Sequence, residues 1–183
     1  MLNRLFALFL LLILSPLFLL VGISIFIEDD MPIFFNQKRV GVNYTFFNIY
    51  KFRSMKKNTP NVATHLLENS QQYLLKIGGV LRKLSFDELP NLINIIKGEM
   101  VFVGPRPALY NQDDLMGLRV IVGVDKLKPG ITGWAQVNGR DEISIEQKVA
   151  FDLEYLARKS FWFDLKILLM TVTSVISSRG VNH

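Results

Sequence analysis

Residues 5–27 read LFALFLLLILSPLFLLVGISIFI, an uncharged run in a chain of 183 residues with a formal net charge of +5. At about 1.5 Å per residue a straight helix of that length reaches roughly 35 Å, enough for a hydrocarbon core of about 30 Å. Ser15-Pro16 stands in its middle. Proline removes the amide that would bond the Leu12 carbonyl and presses its ring against it, while the Ser15 hydroxyl can take up a freed backbone group, so a bend is predicted at this pair. Arg4 precedes the run; beyond Glu28, Asp29 and Asp30 come Lys38, Arg39, Lys51, Arg53, Lys56 and Lys57. Basic residues on both sides favour keeping both ends cytoplasmic, which a helix that enters and leaves by one leaflet satisfies. A spanning helix with a proline kink fits the composition equally well. A signal peptide fits worst, because the run exceeds the usual 7–15 residues and no small-x-small site precedes Glu28.

All 16 acidic residues, and every basic residue except Arg4, lie in residues 28–183, so the expected organisation is a membrane segment at 1–27 and one compact domain at 28–183. The absence of cysteine excludes a disulfide scaffold, a thiol nucleophile and a thiolate zinc site. The two histidines, His65 and His183, are poor material for a zinc enzyme or a serine-protease-like base. Catalysis is left to carboxylates, hydroxyls and basic groups. No phosphate-binding G-x-x-x-x-G-K-[ST] loop or G-x-G-x-x-G fingerprint occurs. The positive charge does not require nucleic acid, since anionic lipid and nucleotide ligands also suit a basic protein.

The expected fold class is α/β, mainly helices around a small sheet. Ile33–Phe35 and Tyr44–Arg53 read as strands of a hairpin turning through Asn36–Asn43. In the second strand Lys51 and Arg53 share a face, as a two-pronged phosphate grip or as solvated strand-end cations. A helix is predicted from His65 to Ile77, interrupted at Gly78-Gly79 and resuming through Lys83. Leu89, Leu92, Ile93 and Ile96 mark a buried helix face that Gly98 stops, and Asn111–Val120 reads as helical. Ser144 and Gln147 form a capping box for a helix with the stripe Ile145, Val149, Leu153 and Leu156. Phe161–Ile176, apolar on most sides and opening on three aromatics, is a core helix or an interfacial one.

Three stretches could carry chemistry. Asp87-Glu88 lies between Ser85 and Pro90, where a structural explanation exists: Ser85-x-x-Glu88 matches a capping box. Pro90 argues for a helix start nearer Asp87, where a helix end would hold an aspartate ionised beside an arriving phosphate. A carboxylate nucleophile with an adjacent metal-binding carboxylate is a workable phosphoryl-transfer pair. Gly104-Pro105-Arg106-Pro107 presents an arginine from a stiff loop, suited to phosphate or to a structural acid. Lys128 to Arg140 combines glycines, Trp134 and two cations, as a ligand-approach loop or a turn around a buried tryptophan.

Taken in order, the segment with Ser15-Pro16, Phe34 to Gly41, Tyr50 to Met55, Leu81 to Pro90, Lys97 to Met100, Val103 to Pro107 and Lys128 to Arg140 closely resembles the bacterial sugar transferase family, the monotopic phosphoglycosyl transferases, in its minimal catalytic form. The resemblance implies transfer of a sugar-1-phosphate from a UDP-sugar to polyprenyl (undecaprenyl) phosphate, releasing UMP, at the cytoplasmic face of the bacterial inner membrane as the first membrane step of a glycoconjugate pathway. It implies Asp87 as the nucleophile of a covalent phosphosugar intermediate, Glu88 as the Mg²⁺ ligand, Ser15-Pro16 as the break of a re-entrant helix, and Arg82, Arg106 and Arg140 as basic groups of the site, with Lys51 and Arg53 as further substrate-binding cations. A homodimer is compatible with it; nucleic acid is not an expected partner. Many members carry an acid early in the membrane helix, where this chain has Ala7. The alternatives are a membrane-bound metal-dependent phosphodiesterase, with water as acceptor, and a non-enzymatic scaffold docking anionic lipid.

Overall fold

The computed structural model describes residues 1–60, 70–139 and 143–176. Helices α1 (Leu2–Ile13) and α2 (Ser15–Asp29) meet at Leu14 with a bend of 62°. Pro16 occupies the first turn of α2, and Ser15 Oγ donates to the Leu12 carbonyl at 2.8 Å, replacing the bond that proline cannot make. Among the described residues no single helix is long and apolar enough to cross a membrane; α1 and α2 reach that length only as a bent pair.

Both arms pack on the rest of the molecule. Ala7 is fully buried against Ile49, Leu92, Ile95 and Met100, its small side chain admitting α1 close to α4 (Asn91–Lys97). Val21 and Ile25 of α2 share a second core with Phe52, Leu75 and Leu81. The ends are tied down by polar contacts. The Arg4 guanidinium lies against Gly98, at the carbonyl end of α4, where a cation is favoured. At the other end Glu28 Oε1 accepts the Lys76 amide at 2.6 Å, at the start of α3 (Lys76–Lys83), and Asp29 pairs with Arg53 and accepts the Lys57 amide at 2.9 Å.

Strands β1 (Phe34–Val40) and β2 (Phe46–Phe52) form the expected antiparallel hairpin, in register from Phe34 opposite Phe52 to Val40 opposite Phe46. The connection is shorter than the predicted Asn36–Asn43. β1 continues to Val40 because its end also binds outside the hairpin, the Val40 amide to the Ala108 carbonyl and Arg39 bridged to Leu109. The predicted break at Gly78-Gly79 is absent. α3 runs through both, and Gly78 serves close approach instead, since a Cβ there would stand 2.1 Å from the Ser54 carbonyl oxygen. The part of the predicted helix at 65–69, including His65, lies outside the described residues, and over 70–75 the expectation is corrected: Ser70–Tyr73 is a 3-10 turn and Leu74 bridges to Met55, so the helix begins only at Lys76.

After α3 the chain reverses at Ser85, which adopts a left-handed φ of 56° and makes no side-chain cap, so the anticipated capping box with Glu88 does not form. Phe86–Glu88 is a single 3-10 turn, and α4 begins only after Pro90, whose missing amide costs nothing at a helix start. The buried face of α4 is rotated from the expected one: Leu92 and Ile95 are buried together with Asn91 and Asn94. Asn94 is a structural hub, its Nδ2 donating to the Asn48 carbonyl and Glu99 and its Oδ1 accepting the Tyr50 amide. Gly98, at φ 85°, ends the helix as expected.

A second two-stranded sheet, parallel, joins β3 (Val101–Val103) to β4 (Gly130–Thr132), so the strands form two small sheets in a mainly helical fold. The remaining helices are α5 (Asp113–Ile121), α6 (Trp134–Val137), α7 (Ile145–Arg158) and α8 (Phe161–Ile176). The Ser144/Gln147 capping box is formed. The buried positions of α7 are Val149, Asp152 and Tyr155, while Leu153 of the expected stripe is 41% exposed. In α8, Phe163 and Ile167 enter a core with Val103, Trp134 and Tyr155, as the core reading expects, while Phe161, Trp162, Leu169 and Val172 face outward.

Candidate active site

The turn Phe86–Glu88 carries two half-buried carboxylates, held between the left-handed Ser85 and the rigid Pro90. From β2, Lys51 Nζ donates to Glu88 Oε1 at 2.6 Å, and Arg106 approaches the same oxygen at 3.6 Å. From α3, Arg82 Nε donates to Ser54 Oγ at 2.9 Å and lies within electrostatic reach of Asp87. Lys51, Glu88 and Arg106 line one cleft with Arg39, Asn91, Gly130 and Ile131.

Burial raises the Asp87 pKa above the ordinary carboxylate value and the neighbouring Glu88 charge adds to it, while Lys51 and Arg82 oppose the rise. The expectation that a helix end holds Asp87 ionised is therefore corrected. The helix α4 starts at Asn91, four residues beyond Asp87 and after Pro90, and the charge on Asp87 is supported by side-chain cations.

The Pro105-Arg106-Pro107 segment is braced from three sides. The Gly130 amide bonds the Pro105 carbonyl and the Gly104 amide bonds the Thr132 carbonyl, each at 2.9 Å. This approach requires glycine at Gly104, where a Cβ would stand 2.4 Å from the Lys128 carbonyl oxygen. Arg39 donates to the Pro107 carbonyl at 3.1 Å. Arg119 of α5 donates to the Arg106 carbonyl at 2.9 Å, while its Nε and second terminal nitrogen hold Asp152 Oδ2 of α7 at 3.0 and 2.6 Å in a buried pair. Burial pushes the Asp152 carboxyl up and Arg119 pulls it down.

Of the residues singled out from sequence, Asp87, Glu88, Lys51, Arg82 and Arg106 come together. Arg53 does not join them. It lies just past β2, buried, donating to the carbonyls of Asp29, Asp30 and Pro32 and pairing with the Asp29 carboxylate, so Lys51 and Arg53 form no two-pronged grip. Ser15 and Pro16 mark the helix bend, and Arg140 lies outside the described residues. Trp134 is buried, its indole donating to Glu154 at 2.8 Å, the ordinary reading of its glycine-rich surroundings. Sequence reasoning missed Arg39, Asn91, Arg119 and Asp152. The one signal for the last was a charged residue at the buried spacing of an otherwise amphipathic helix.

The family model for bacterial sugar transferases matches residues 1–178. The chain is 40% identical over 186 residues to the uncharacterized sugar transferase EpsL of Bacillus subtilis, covering 100% of this chain and 91% of that protein. It is 37% identical to the exopolysaccharide production protein ExoY of Rhizobium meliloti, covering 93% and 81%. With the UDP-glucose:undecaprenyl-phosphate glucose-1-phosphate transferase of Escherichia coli it shares 39% identity across 88% of this chain and 36% of that longer protein. A match along nearly the whole chain, on a fold that gathers Asp87, Glu88, Lys51 and Arg106, makes this protein a member of the bacterial sugar transferase family.

Proposed function

We propose that the protein transfers a sugar-1-phosphate from a UDP-sugar to undecaprenyl phosphate on the cytoplasmic face of the bacterial inner membrane, through a covalent intermediate on Asp87. The observation that carries this reading is Glu88 paired with Lys51 and close to Arg106 at one cleft, with Asp87 beside it within electrostatic reach of Lys51 and Arg82, in a chain similar to a named glucose-1-phosphate transferase. A carboxylate oxygen of Asp87 attacks the β-phosphorus of the donor. The bond from that phosphorus to the bridging oxygen breaks, and its electron pair leaves with UMP. An oxygen of the lipid phosphate then attacks the same phosphorus, the Asp87–phosphorus bond breaks, and the carboxylate is restored. Lys51, Arg82 and Arg106 offset the charge of the phosphates, and Arg106, on its stiff loop, holds a fixed direction while doing so.

The donor set suits a hard cation. No group of three His, Cys, Asp or Glu gathers among the described residues; Glu88 would be the protein's ligand, with Asp87 kept for attack on phosphorus. One or two carboxylates, completed by substrate phosphates and water, is the usual protein share of a Mg²⁺ site. Bound there by Glu88, the ion would supply charge neutralisation at the phosphates.

The membrane arrangement we infer is a re-entrant α1–α2 pair with α8 at the interface. Support comes from the bend at Ser15-Pro16, from the outward apolar residues of α1, α2 and α8, and from the docking of both segment ends on one body, Arg4 at Gly98 and Glu28–Asp30 at α3, Arg53 and Lys57. A site held at headgroup level meets the lipid phosphate in place, and only the soluble nucleotide has to diffuse in.

Intact-protein mass spectrometry tests the chemistry, with Mg²⁺ and a panel of UDP-sugars and no lipid. The expected result is one phosphosugar adduct on the wild type, stoichiometric UMP, and no adduct on Asp87→Asn. Continuous UMP release without lipid would instead identify a phosphodiesterase.

A further inference from the structure

Asn91 has no part in the chemistry derived above, yet it lines the same cleft as Lys51, Glu88 and Arg106. Asn91 is 3% exposed, and its Oδ1 has no hydrogen-bond partner within the protein. Asn94, one turn further on and equally buried, uses both ends of its amide to tie β2 and Glu99 to α4. Asn91 makes no such tie at its oxygen, so the fold does not explain that acceptor. Buried acceptors left unmatched are costly and rare, and one on a residue that lines a polar cleft points to a ligand that completes it.

The chemistry of the ligand follows from the group. An amide oxygen accepts, so it repels phosphate oxygens, which the cleft meets with Arg39, Lys51 and Arg106. It calls for a hydroxyl or N–H. Position then selects which one. Asp87 to Asn91 is a continuous run of right-handed turns, so Glu88 and Asn91, three apart, are neighbours, and Asp87 is one turn away. In an in-line displacement by Asp87 the departing UMP lies on the far side of the β-phosphorus, while the glycosyl oxygen sits equatorially, nearer the attacking residue. We propose that Asn91 is a specificity-determining residue whose Oδ1 accepts a hydrogen bond from a hydroxyl of the donor's glycosyl group.

This inference rests on the transferase reading, and one experiment separates the two. The full chain in lipid nanodiscs with Mg²⁺ and undecaprenyl phosphate is assayed for UMP release with UDP-glucose, UDP-galactose and their N-acetylated counterparts. The best donor is then compared in wild type and Asn91→Leu, alongside inhibition by UDP, which lacks the sugar. The expected result is a fall in kcat/KM of about tenfold or more with the UDP inhibition constant unchanged and the thermal midpoint not lowered. A deoxy donor lacking the recognised hydroxyl should be used equally by both proteins. If Asn91→Leu lowers UDP affinity by the same factor, the amide serves the nucleotide half and the proposal fails. It fails equally if turnover of every donor is unchanged. Asn91→Ala gives the same decision should the leucine variant unfold. Absence of UMP release from the wild type with all donors overturns the transferase reading and this inference together.

Discussion

Asp87 is held on a strained turn in surroundings that disfavour its charge, and its pKa is raised chiefly by burial. Two predictions belong at this residue. Asp87→Asn should lower phosphosugar transfer by roughly 10⁴-fold or more, as loss of a nucleophile does, measured as UMP release with lipid present. The same variant should be more heat-stable than wild type at neutral pH. The sign follows from the direction of the shift: above the folded pKa the wild type carries a buried charge that the unfolded chain solvates, and below the unfolded value of 3.8 both states are neutral. The stability gained by the asparagine variant should therefore shrink as pH falls through the folded pKa, seen as converging thermal midpoints. Activity of the wild type should lose its acid limb above the ordinary aspartate range for the same reason.

At the scale of elements, the brace from α7 through α5 to the Pro105-Arg106-Pro107 loop is the clearest case of structure at a distance from the chemistry. Asp152→Ala leaves Arg119 as an unpaired buried cation and should cost about 3–5 kcal/mol, read as a lowered denaturation midpoint. Asp152→Asn keeps an oxygen for Arg119 and should fold, with its main defect in KM for the nucleotide-sugar, because a neutral partner holds Arg119, and through it the Arg106 carbonyl, less firmly. Gly104→Ala should destabilise by at least about 1–3 kcal/mol, since the β3–β4 junction is backbone against backbone and has no flexible side chain to yield. None of these contacts has a sequence signature. Arg119 and Asp152 are thirty-three positions apart and meet only because α5 and α7 pack together.

At the scale of the whole molecule, both ends of the apolar segment are fastened to the same body, which makes its topology testable. The chain has no cysteine, so Asn3→Cys and Met31→Cys each place a single thiol beside one end. In intact spheroplasts both should resist an impermeant maleimide and react only after permeabilisation; a spanning segment would expose one of them to the outside. The sequence by itself determined what local chemistry controls: the bend at Ser15-Pro16, through a missing amide and a nearby hydroxyl; the hairpin, through alternating aromatic and β-branched residues; the Ser144 cap of α7; and the Asp87-Glu88 pair with Arg106 between two prolines. Only the tertiary structure decided which cations meet those carboxylates. Lys51 and Arg53 are two residues apart and were expected on one face, yet the strand ends between them at Phe52, and beyond it the side chain follows the carbonyls of Asp29, Asp30 and Pro32. In the same way α4 turned Asn94 inward, because the polar partners that make burial of its amide tolerable come from β2, a segment that hydrophobic spacing within the helix does not sense.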